Sequence, residues 1–167
     1  MNGKSKPYAI LVFGAPMSGK TTFAEQFSAR FNAPFINLAT LQAEHHLSHK
    51  IALLIVEQMT KCRQNLIIEG FIDTEKQREK LRSTLISAGY TPILVWVQTD
   101  LSAIKQRMRK KYTKLEEAKN ALSEAYKHIE APAINEDAIV ISGKHTFHAQ
   151  CRNVLSGIAT LNRKKRR

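Results

Sequence analysis

The chain has 167 residues, 43% of them hydrophobic, and a formal net charge of +12. This length and apolar content predict one compact domain over residues 1–162 with a substantial core, and they exclude a second domain of ordinary size. No apolar run approaches the ~20 residues of a membrane helix, and the polar start at residues 1–7 does not have the layout of a signal peptide. We therefore expect a soluble, cytoplasmic protein without a membrane span.

Positive charge is concentrated at the C-terminus. The last five residues, 163–167, are all lysine or arginine and contribute five of the twelve net positive charges. Blocks of like charge are commonly disordered, so we expect a disordered basic tail. The remaining excess of charge favours an anionic partner, either a nucleotide or a nucleic acid. A solvated tail and a tail that contacts RNA are both open at this point.

The first predicted element is a strand at residues 8–13, and a motif with the spacing G-x-x-x-x-G-K-[ST] follows it directly. The motif consists of Gly14, Ala15, Pro16, Met17, Ser18, Gly19, Lys20 and Thr21. Glycine at both ends allows the backbone to turn sharply and to point its N–H groups inward at phosphate. Lys20 is then expected to reach the β- and γ-phosphates of ATP, and the Thr21 hydroxyl to hold Mg²⁺. Thr22 and the helix that follows add the positive end of a helix dipole.

Beyond the loop, predicted helices and strands alternate along the chain. The further strands are expected at residues 34–37, 66–70, 92–97 and 138–141. The helices are expected at residues 19–31, 40–63, 75–88, 100–111, 113–130 and 145–161. This alternation predicts an α/β domain with a five-stranded, doubly wound parallel sheet flanked by helices. Its ligands should bind at the carboxyl ends of the strands, where the loop, Glu69, Asp73 and Asp100 emerge.

The long helix predicted at residues 40–63 begins with Thr40 as its N-cap. It places His45 and His49 four positions apart on one face, a spacing that suits a zinc ligand pair. Because no third ligand has a matching spacing, a polar helix face near a substrate pocket and plain solvent exposure are the alternatives.

Glu69 is the best acidic candidate for the metal. It ends an apolar strand, where the second acidic element of phosphate-loop enzymes stands, and an acid at that position can hold a metal-bound water beside Thr21. A buried carboxylate at a strand end is costly without a partner, which disfavours a purely structural role. We therefore expect Thr21 and Glu69 to form the Mg²⁺ site.

Residues 69–81, with the sequence EGFIDTEKQREKL, resemble the D-G-F-P-R-T-x-x-Q-x-x-x-L stretch of adenylate kinases and related nucleoside monophosphate kinases. The loop at residues 14–20 is also similar to theirs. The resemblance implies the phosphate-loop fold with strand order 2-3-1-4-5. It also implies that the turn with Gly143 and Lys144 packs against the ATP adenine, and that an arginine of the helix at residues 100–111 clamps the transferring phosphoryl.

Two arginines of that helix, Arg107 and Arg109, are candidates for the clamp. Being two positions apart on a helix, they cannot both face one site, and Arg107 is the preferred candidate. The alternative is a solvated basic helix face. Arg78, near the start of the preceding helix, is a weaker candidate for contact with the acceptor.

The chain departs from this family where the phosphate acceptor binds. Asp73 replaces an arginine that binds the acceptor monophosphate, and residues 38–43 lack the family's T-G-D-x-x-R pattern. The segment between residues 34 and 69 is short, and the break at residues 110–113 leaves little room for a lid. These departures disfavour AMP as the acceptor. Asp73 is then either a general base for a hydroxyl acceptor or, together with Thr74, a cap of the helix that follows.

The combined expectation is an ATP- and Mg²⁺-dependent phosphotransferase. Lys20 and Arg107 would stabilise the transferring phosphoryl, Glu69 would organise the metal, and Asp73 would act on the acceptor. The acceptor would be a nucleoside, a nucleotide, a sugar or the 5′-hydroxyl of a nucleic acid. The alternative is a nucleotide-binding regulatory or RNA-associated ATPase module without a small-molecule acceptor.

Overall fold

The computed structural model describes residues 6–111, 116, 120, 123 and 126–164. Five parallel strands form one sheet in the order β2-β3-β1-β4-β5. The strands are β1 (Tyr8–Phe13), β2 (Phe35–Asn37), β3 (Leu66–Glu69), β4 (Thr91–Gln98) and β5 (Ile139–Ser142). The predicted doubly wound parallel sheet and its strand order are confirmed. The central strand β1 therefore carries the glycine-rich loop at its carboxyl end, between the ends of β3 and β4.

Six α-helices flank the sheet within the described residues. They are α1 (Lys20–Phe31), α2 (Leu38–His45), α3 (His49–Thr60), α4 (Glu75–Ser87), α5 (Leu101–Lys111) and α6 (Phe147–Lys164). A short 3₁₀ helix at Ile134–Glu136 was not predicted. Residues 116, 120, 123, 126 and 127 are also helical, and most of the predicted capping box at residues 113–116 lies outside the described residues.

The core lies on both faces of the sheet. Leu11 and Ile68 belong to the cluster beneath α2, α3 and α4, whereas their chain neighbours Val12 and Ile67 belong to the cluster beneath α1 and α6. All four side chains are buried. Because successive strand residues point to opposite faces, a parallel strand covered on both sides is apolar throughout. This explains why the central strands were predicted close to their observed bounds.

The long helix predicted at residues 40–63 is wrong, because the chain forms two helices there. His46 adopts a left-handed conformation with φ 52° and ends α2, and the Ser48 hydroxyl accepts a hydrogen bond from the Ile51 N–H to begin α3. His45 and His49 therefore lie on different helices, which removes the shared face that the zinc interpretation required. The described residues contain no group of three or more His, Cys, Asp and Glu side chains placed to hold a metal.

The predicted cap of this region is also wrong. Asn37, and not Thr40, caps α2: its side-chain Oδ1 accepts a hydrogen bond from the Thr40 N–H at 2.9 Å. Asn37 is paired with Glu69 across β2 and β3, so this cap stands beside the carboxyl end of β3.

At the other end of the chain, α6 continues to Lys164, beyond the predicted end at residue 161. Arg163 and Lys164 are thus helical, and the Lys164 ammonium lies 3.3 Å from the Asp137 carboxylate. The rest of the predicted basic tail, residues 165–167, lies outside the described residues. None of the described helices combines the length and the apolar character that crossing a membrane requires.

Candidate active site

The loop after β1 has the backbone shape that its glycines predicted. Gly14 has φ 144° and Gly19 has φ 101°, both in the range that residues with a side chain rarely adopt. A Cβ atom on Gly14 would lie 2.4 Å from the Val97 carbonyl oxygen of β4. Within the turn, the Ser18 N–H donates to the Ala15 carbonyl at 3.1 Å. The loop is therefore packed against the sheet and leads directly into α1.

Lys20, Thr21 and Glu69 lie together at the carboxyl ends of β1 and β3. The two strands are neighbours, and Val12 is paired with Glu69, which brings the end of β3 beside the start of α1. The Thr21 hydroxyl donates to Glu69 Oε1 at 3.0 Å. The Lys20 ammonium donates to the Ala15 carbonyl at 3.1 Å.

Burial dominates the electrostatics of this group. Burial raises the pKa of Glu69, and the nearby Lys20 ammonium opposes that shift. Burial likewise lowers the pKa of Lys20, against the attraction of Glu69 and Asp73. Glu69 Oε2 is buried without a hydrogen-bond partner. An unsatisfied buried carboxylate oxygen is costly, so a cation bound beside Glu69 Oε2 would stabilise this group of side chains.

A magnesium ion fits this donor set. Mg²⁺ prefers oxygen ligands and usually keeps several waters while binding one or two carboxylates and substrate phosphates. Thr21 supplies a hydroxyl and Glu69 supplies a carboxylate with one unpaired oxygen. These two residues are the ones that would hold the ion.

Arg107 connects two loops. It lies on α5, and its guanidinium donates at 2.8 Å to the Met17 carbonyl and at 2.8 Å to the Gly143 carbonyl. Arg109 is exposed. Of the two candidate arginines, Arg107 is therefore the one that faces the loop.

The turn after β5 is in close contact with the loop as well. A Cβ atom on Gly143 would lie 1.8 Å from the Ser18 carbonyl oxygen, so only glycine fits there without displacement of the backbone. The Thr99 hydroxyl donates to that same carbonyl at 2.9 Å. Lys144, the next residue of the turn, contacts the residue before α5: its ammonium forms an ion pair with Asp100 at 2.8 Å. Lys144 does not line the cleft between the loop and this turn.

A cleft of about 500 Å³, here called the donor cleft, lies between the loop and this turn. Seven residues that the sequence singled out line it: Met17, Gly19, Lys20, Thr21, Thr22, Arg107 and Gly143. Five others were missed: Phe23, Gln26, His145, Phe147 and Gln150. The position of His145 and Phe147 just after the turn was the available signal. Gln150 gave none, because its role in donating to the Ser142 carbonyl at 2.8 Å depends on the packing of α6.

A second cavity of about 270 Å³, here called the inner chamber, is also lined by Lys20 and shares no other lining residue with the donor cleft. It is lined by Gly14, Pro16, Lys20, Glu69 and Asp73, among others. The two remaining loop residues, Ala15 and Ser18, line neither cavity. Ser18 is fully buried and its hydroxyl has no hydrogen-bond partner.

The structure separates Asp73 from the helix cap. Thr74 caps α4: its hydroxyl accepts from the Gln77 N–H at 3.3 Å, and the Gln77 side chain accepts from the Thr74 N–H at 3.1 Å. The Asp73 carboxylate takes no part in this capping box. Burial raises its pKa, whereas the nearby Lys20 lowers it to a smaller extent.

Arg78 does not face the acceptor side. It is fully buried, forms a two-pronged ion pair with Glu136 at 2.7 Å, and lies over the Phe13 ring at 4.8 Å. It also donates to the Asp73 carbonyl at 3.0 Å and to the Glu130 carbonyl at 3.1 Å. Its expected contact with the acceptor is therefore wrong, because every side of the guanidinium is covered by the protein.

No protein-family profile and no curated protein sequence matches the chain. Solved structures match it over nearly its whole length. A gluconokinase from Sinorhizobium meliloti superposes with a TM-score of 0.73 at 18% identity, covering 95% of both chains. Kti12 from Chaetomium thermophilum, solved with ADP-AlF3, gives 0.68 at 19% identity over 91% of this chain and 97% of that one. Mycobacterium tuberculosis APS kinase CysC, solved with AMPPNP and APS, gives 0.66 at 15% identity over 92% and 98%.

These likenesses show a fold. The chain has the fold of P-loop kinases, which confirms the predicted class. The narrower resemblance to adenylate kinases stays a prediction.

Proposed function

We propose that this protein is an ATP- and Mg²⁺-dependent phosphotransferase that acts on a hydroxyl group of a small molecule. The observation that carries the proposal is the position of Lys20, which lines both the donor cleft and the inner chamber. A phosphoryl group bound by Lys20 would thus be within reach of a nucleotide in the donor cleft and of an acceptor in the inner chamber. The likeness in fold to a gluconokinase and an APS kinase supports a reaction of this kind.

On the donor side, the backbone N–H groups of the loop and the Lys20 ammonium bind the phosphates of ATP. Phosphoryl transfer depends mainly on such positioning and on electrostatic stabilisation. Mg²⁺, when held by Thr21 and Glu69, supplies positive charge that neutralises the phosphate oxygens. Gly143, which lines the donor cleft, would contact the adenine, and Lys144 keeps the adjoining turn in place through its ion pair with Asp100.

Arg107 has a double role in this proposal. A guanidinium has five N–H donors, and the two backbone carbonyls that Arg107 contacts leave others available. It holds the Met17 and Gly143 segments at a fixed separation and presents its charge to the donor cleft. We therefore assign it to stabilisation of the phosphoryl group, as well as to the shape of the cleft.

On the acceptor side, Asp73 is the general base. The acceptor oxygen attacks the γ-phosphorus, the bond from that phosphorus to the ADP oxygen breaks, and the hydroxyl proton moves to the Asp73 carboxylate. Two observations support this role: Asp73 lines the inner chamber together with Lys20, and the start of α4 is capped by Thr74, Gln77 and Glu130 without the Asp73 carboxylate.

The first experiment is a screen of acceptors with γ-labelled ATP. We expect label on a hydroxyl compound from a panel of nucleosides, nucleotides, sugars, sugar acids and 5′-hydroxyl oligonucleotides. Lys20→Ala should abolish the transfer while the fold survives, and Lys105→Ala, at an exposed position of α5, should leave it unchanged. Label that appears only on water, together with RNA binding that requires residues 163–167, would instead favour a nucleotide-binding module.

The second experiment distinguishes the two possible roles of Asp73, general base and helix cap. Because the pKa of Asp73 is raised above its ordinary value of 3.8, the rate should fall as the pH drops through that raised value. At saturating Mg²⁺, where the protonation of Glu69 no longer limits nucleotide binding, Asp73→Asn should remove this acid limb and lower the rate at least a hundredfold. Thr74→Ala should cost about 1 kcal/mol of stability and keep the limb. An unaltered profile and rate in Asp73→Asn would leave Asp73 without a catalytic role.

A further inference from the structure

A third cavity, of about 610 Å³, adjoins the inner chamber and is here called the outer cavity. The two share four lining residues: Gln42, Phe71, Asp73 and His128. The outer cavity thus extends from the proposed base toward α4. Its size and its common wall with the inner chamber make it the part of the acceptor site that would hold the remainder of an acceptor molecule.

The wall formed by α4 is cationic. Lys76 and Lys80 both line the outer cavity, and being one helical turn apart, their backbones are separated by about 6 Å. Asp73 is the one carboxylate among the described residues that line this cavity. Two histidines, His49 and His128, also line it. The positive charge of the two lysines is therefore larger than the negative charge of the single carboxylate in the wall.

Neither Lys76 nor Lys80 forms an ion pair within the part of the chain that the structure describes. No acidic side chain of the described residues lies within ion-pair distance of Lys76 or Lys80. Two of the first-turn N–H groups of α4 already have acceptors, since the Glu75 N–H donates to Glu130 Oε2 at 2.6 Å and the Gln77 N–H donates to the Thr74 hydroxyl. The two lysine side chains are therefore the main source of positive charge for an anion in the outer cavity.

We propose that the acceptor is a small hydroxylated anion, whose carboxylate or phosphate is bound by Lys76 and Lys80 while its hydroxyl faces Asp73. This inference rests on the proposed transferase function and narrows its substrate class. Asp73 and both lysines line this one cavity of about 610 Å³, so a small molecule bound there would contact the proposed base and the cationic wall together. A neutral sugar would leave both ammonium groups without a partner in the wall.

The test measures binding separately from transfer. Calorimetric titration in the presence of the non-hydrolysable analogue AMPPNP compares gluconate with glucitol, and glycerate with glycerol, so that each pair differs chiefly in the anionic group. The variants are Lys76→Gln, Lys80→Gln, the double variant, and Lys105→Gln as a control that removes one exposed lysine from α5. Transfer of label from ATP to the same compounds, and to a 5′-hydroxyl oligonucleotide, is measured in parallel.

We expect an acid to bind at least tenfold more tightly than its neutral counterpart, and more weakly as the salt concentration rises. The double variant should weaken that binding about tenfold or more without changing the affinity for AMPPNP, and Lys105→Gln should match the wild type. Such binding without any transfer would support the anion site and refute the transferase function. Equal use of acids and neutral alcohols, no binding of any acid, or transfer confined to the oligonucleotide would overturn the inference.

Discussion

The ion pair between Arg78 and Glu136 offers a sharp test of how this domain is held together. Glu136 Oε1 accepts from Arg78 Nε at 2.7 Å, and Oε2 accepts from Arg78 Nη2 at 2.7 Å and from the Ala133 N–H at 2.8 Å. In Glu136→Gln, an amide NH₂ replaces one of these oxygens. Whichever oxygen it replaces, a donor then faces a donor, and at least one charge-assisted hydrogen bond to the guanidinium is lost.

The expected loss of stability follows from burial. Arg78 is 0% exposed, so its charge has no access to water once the carboxylate is removed. A hydrogen bond to a charged group is worth about 1.5–3 kcal/mol, and removal of one partner of a buried pair costs about 3–5 kcal/mol. Because the amide oxygen still accepts one bond, we expect Glu136→Gln to lower the free energy of unfolding by about 3 kcal/mol. That is a large part of the ~5–15 kcal/mol typical of a domain.

Urea denaturation followed by tryptophan fluorescence measures this loss of stability. The single tryptophan, Trp96, is stacked on Phe13 at a ring distance of 6.3 Å, so its emission should change when the core unfolds. Glu79→Gln, at an exposed position of α4, is the matched control and should change stability by less than ~0.5 kcal/mol. A loss below about 1 kcal/mol in Glu136→Gln would refute the assignment of a buried, uncompensated charge.

The pH dependence gives a second criterion. The hydrogen bonds from Arg78 hold the pKa of Glu136 below its ordinary value of 4.5. A group with a depressed folded pKa stabilises the fold above its unfolded pKa and loses that contribution as the pH falls through the folded one. Glutamine does not titrate. The difference between the wild type and Glu136→Gln should therefore shrink below about pH 4.5, and a constant difference would contradict the ion pair.

Two further predictions concern the nucleotide side. Gly143→Ala should weaken ADP binding at least tenfold in calorimetry while the protein still unfolds cooperatively, because the new Cβ would lie 1.8 Å from the Ser18 carbonyl oxygen; unchanged affinity would contradict the contact. Glu69→Gln should raise the Mg²⁺ concentration needed for half-maximal nucleotide binding at least tenfold. In the wild type this concentration should also rise at acid pH, because burial raises the pKa of the Glu69 carboxyl, and Glu69→Gln should remove that pH dependence. The same raised pKa means that ionised Glu69 destabilises the metal-free fold at neutral pH, so Glu69→Gln should be at least as stable to urea as the wild type.

The parts of the molecule that could be predicted from the sequence are those set by local rules. The loop follows from the spacing of Gly14, Gly19 and Lys20, and the strands follow from continuous apolar runs that the sheet buries on both faces. The break between α2 and α3 was missed because Leu47 continues the apolar helical period. His46 in a left-handed conformation and Ser48 as a cap decide the break, and neither disturbs that period.

The parts that could not be predicted depend on contacts between distant positions. Arg78 was considered for the acceptor because it is a cation near the start of a helix, but Glu136, 58 positions away, takes it into the core. Similarly, Lys76 and Lys80 lie four positions apart, as lysines on the exposed face of a helix often do. Only the position of α4 beside Asp73 makes them part of a cavity. The donor half of the site is largely continuous in sequence, whereas the acceptor half is assembled by tertiary structure.

The contact between Gly143 and Ser18 has a consequence for the comparison of distant relatives. The chain shares 15–19% identity with the three structural neighbours named above, so few identical residues guide an alignment with them. The turn after β5 comes so near the loop that its first residue, Gly143, has no room for a side chain. An alignment that places a larger residue opposite Gly143 must therefore either move the two segments apart or be shifted in register. Position 143 is thus a landmark for aligning this chain that does not depend on overall similarity.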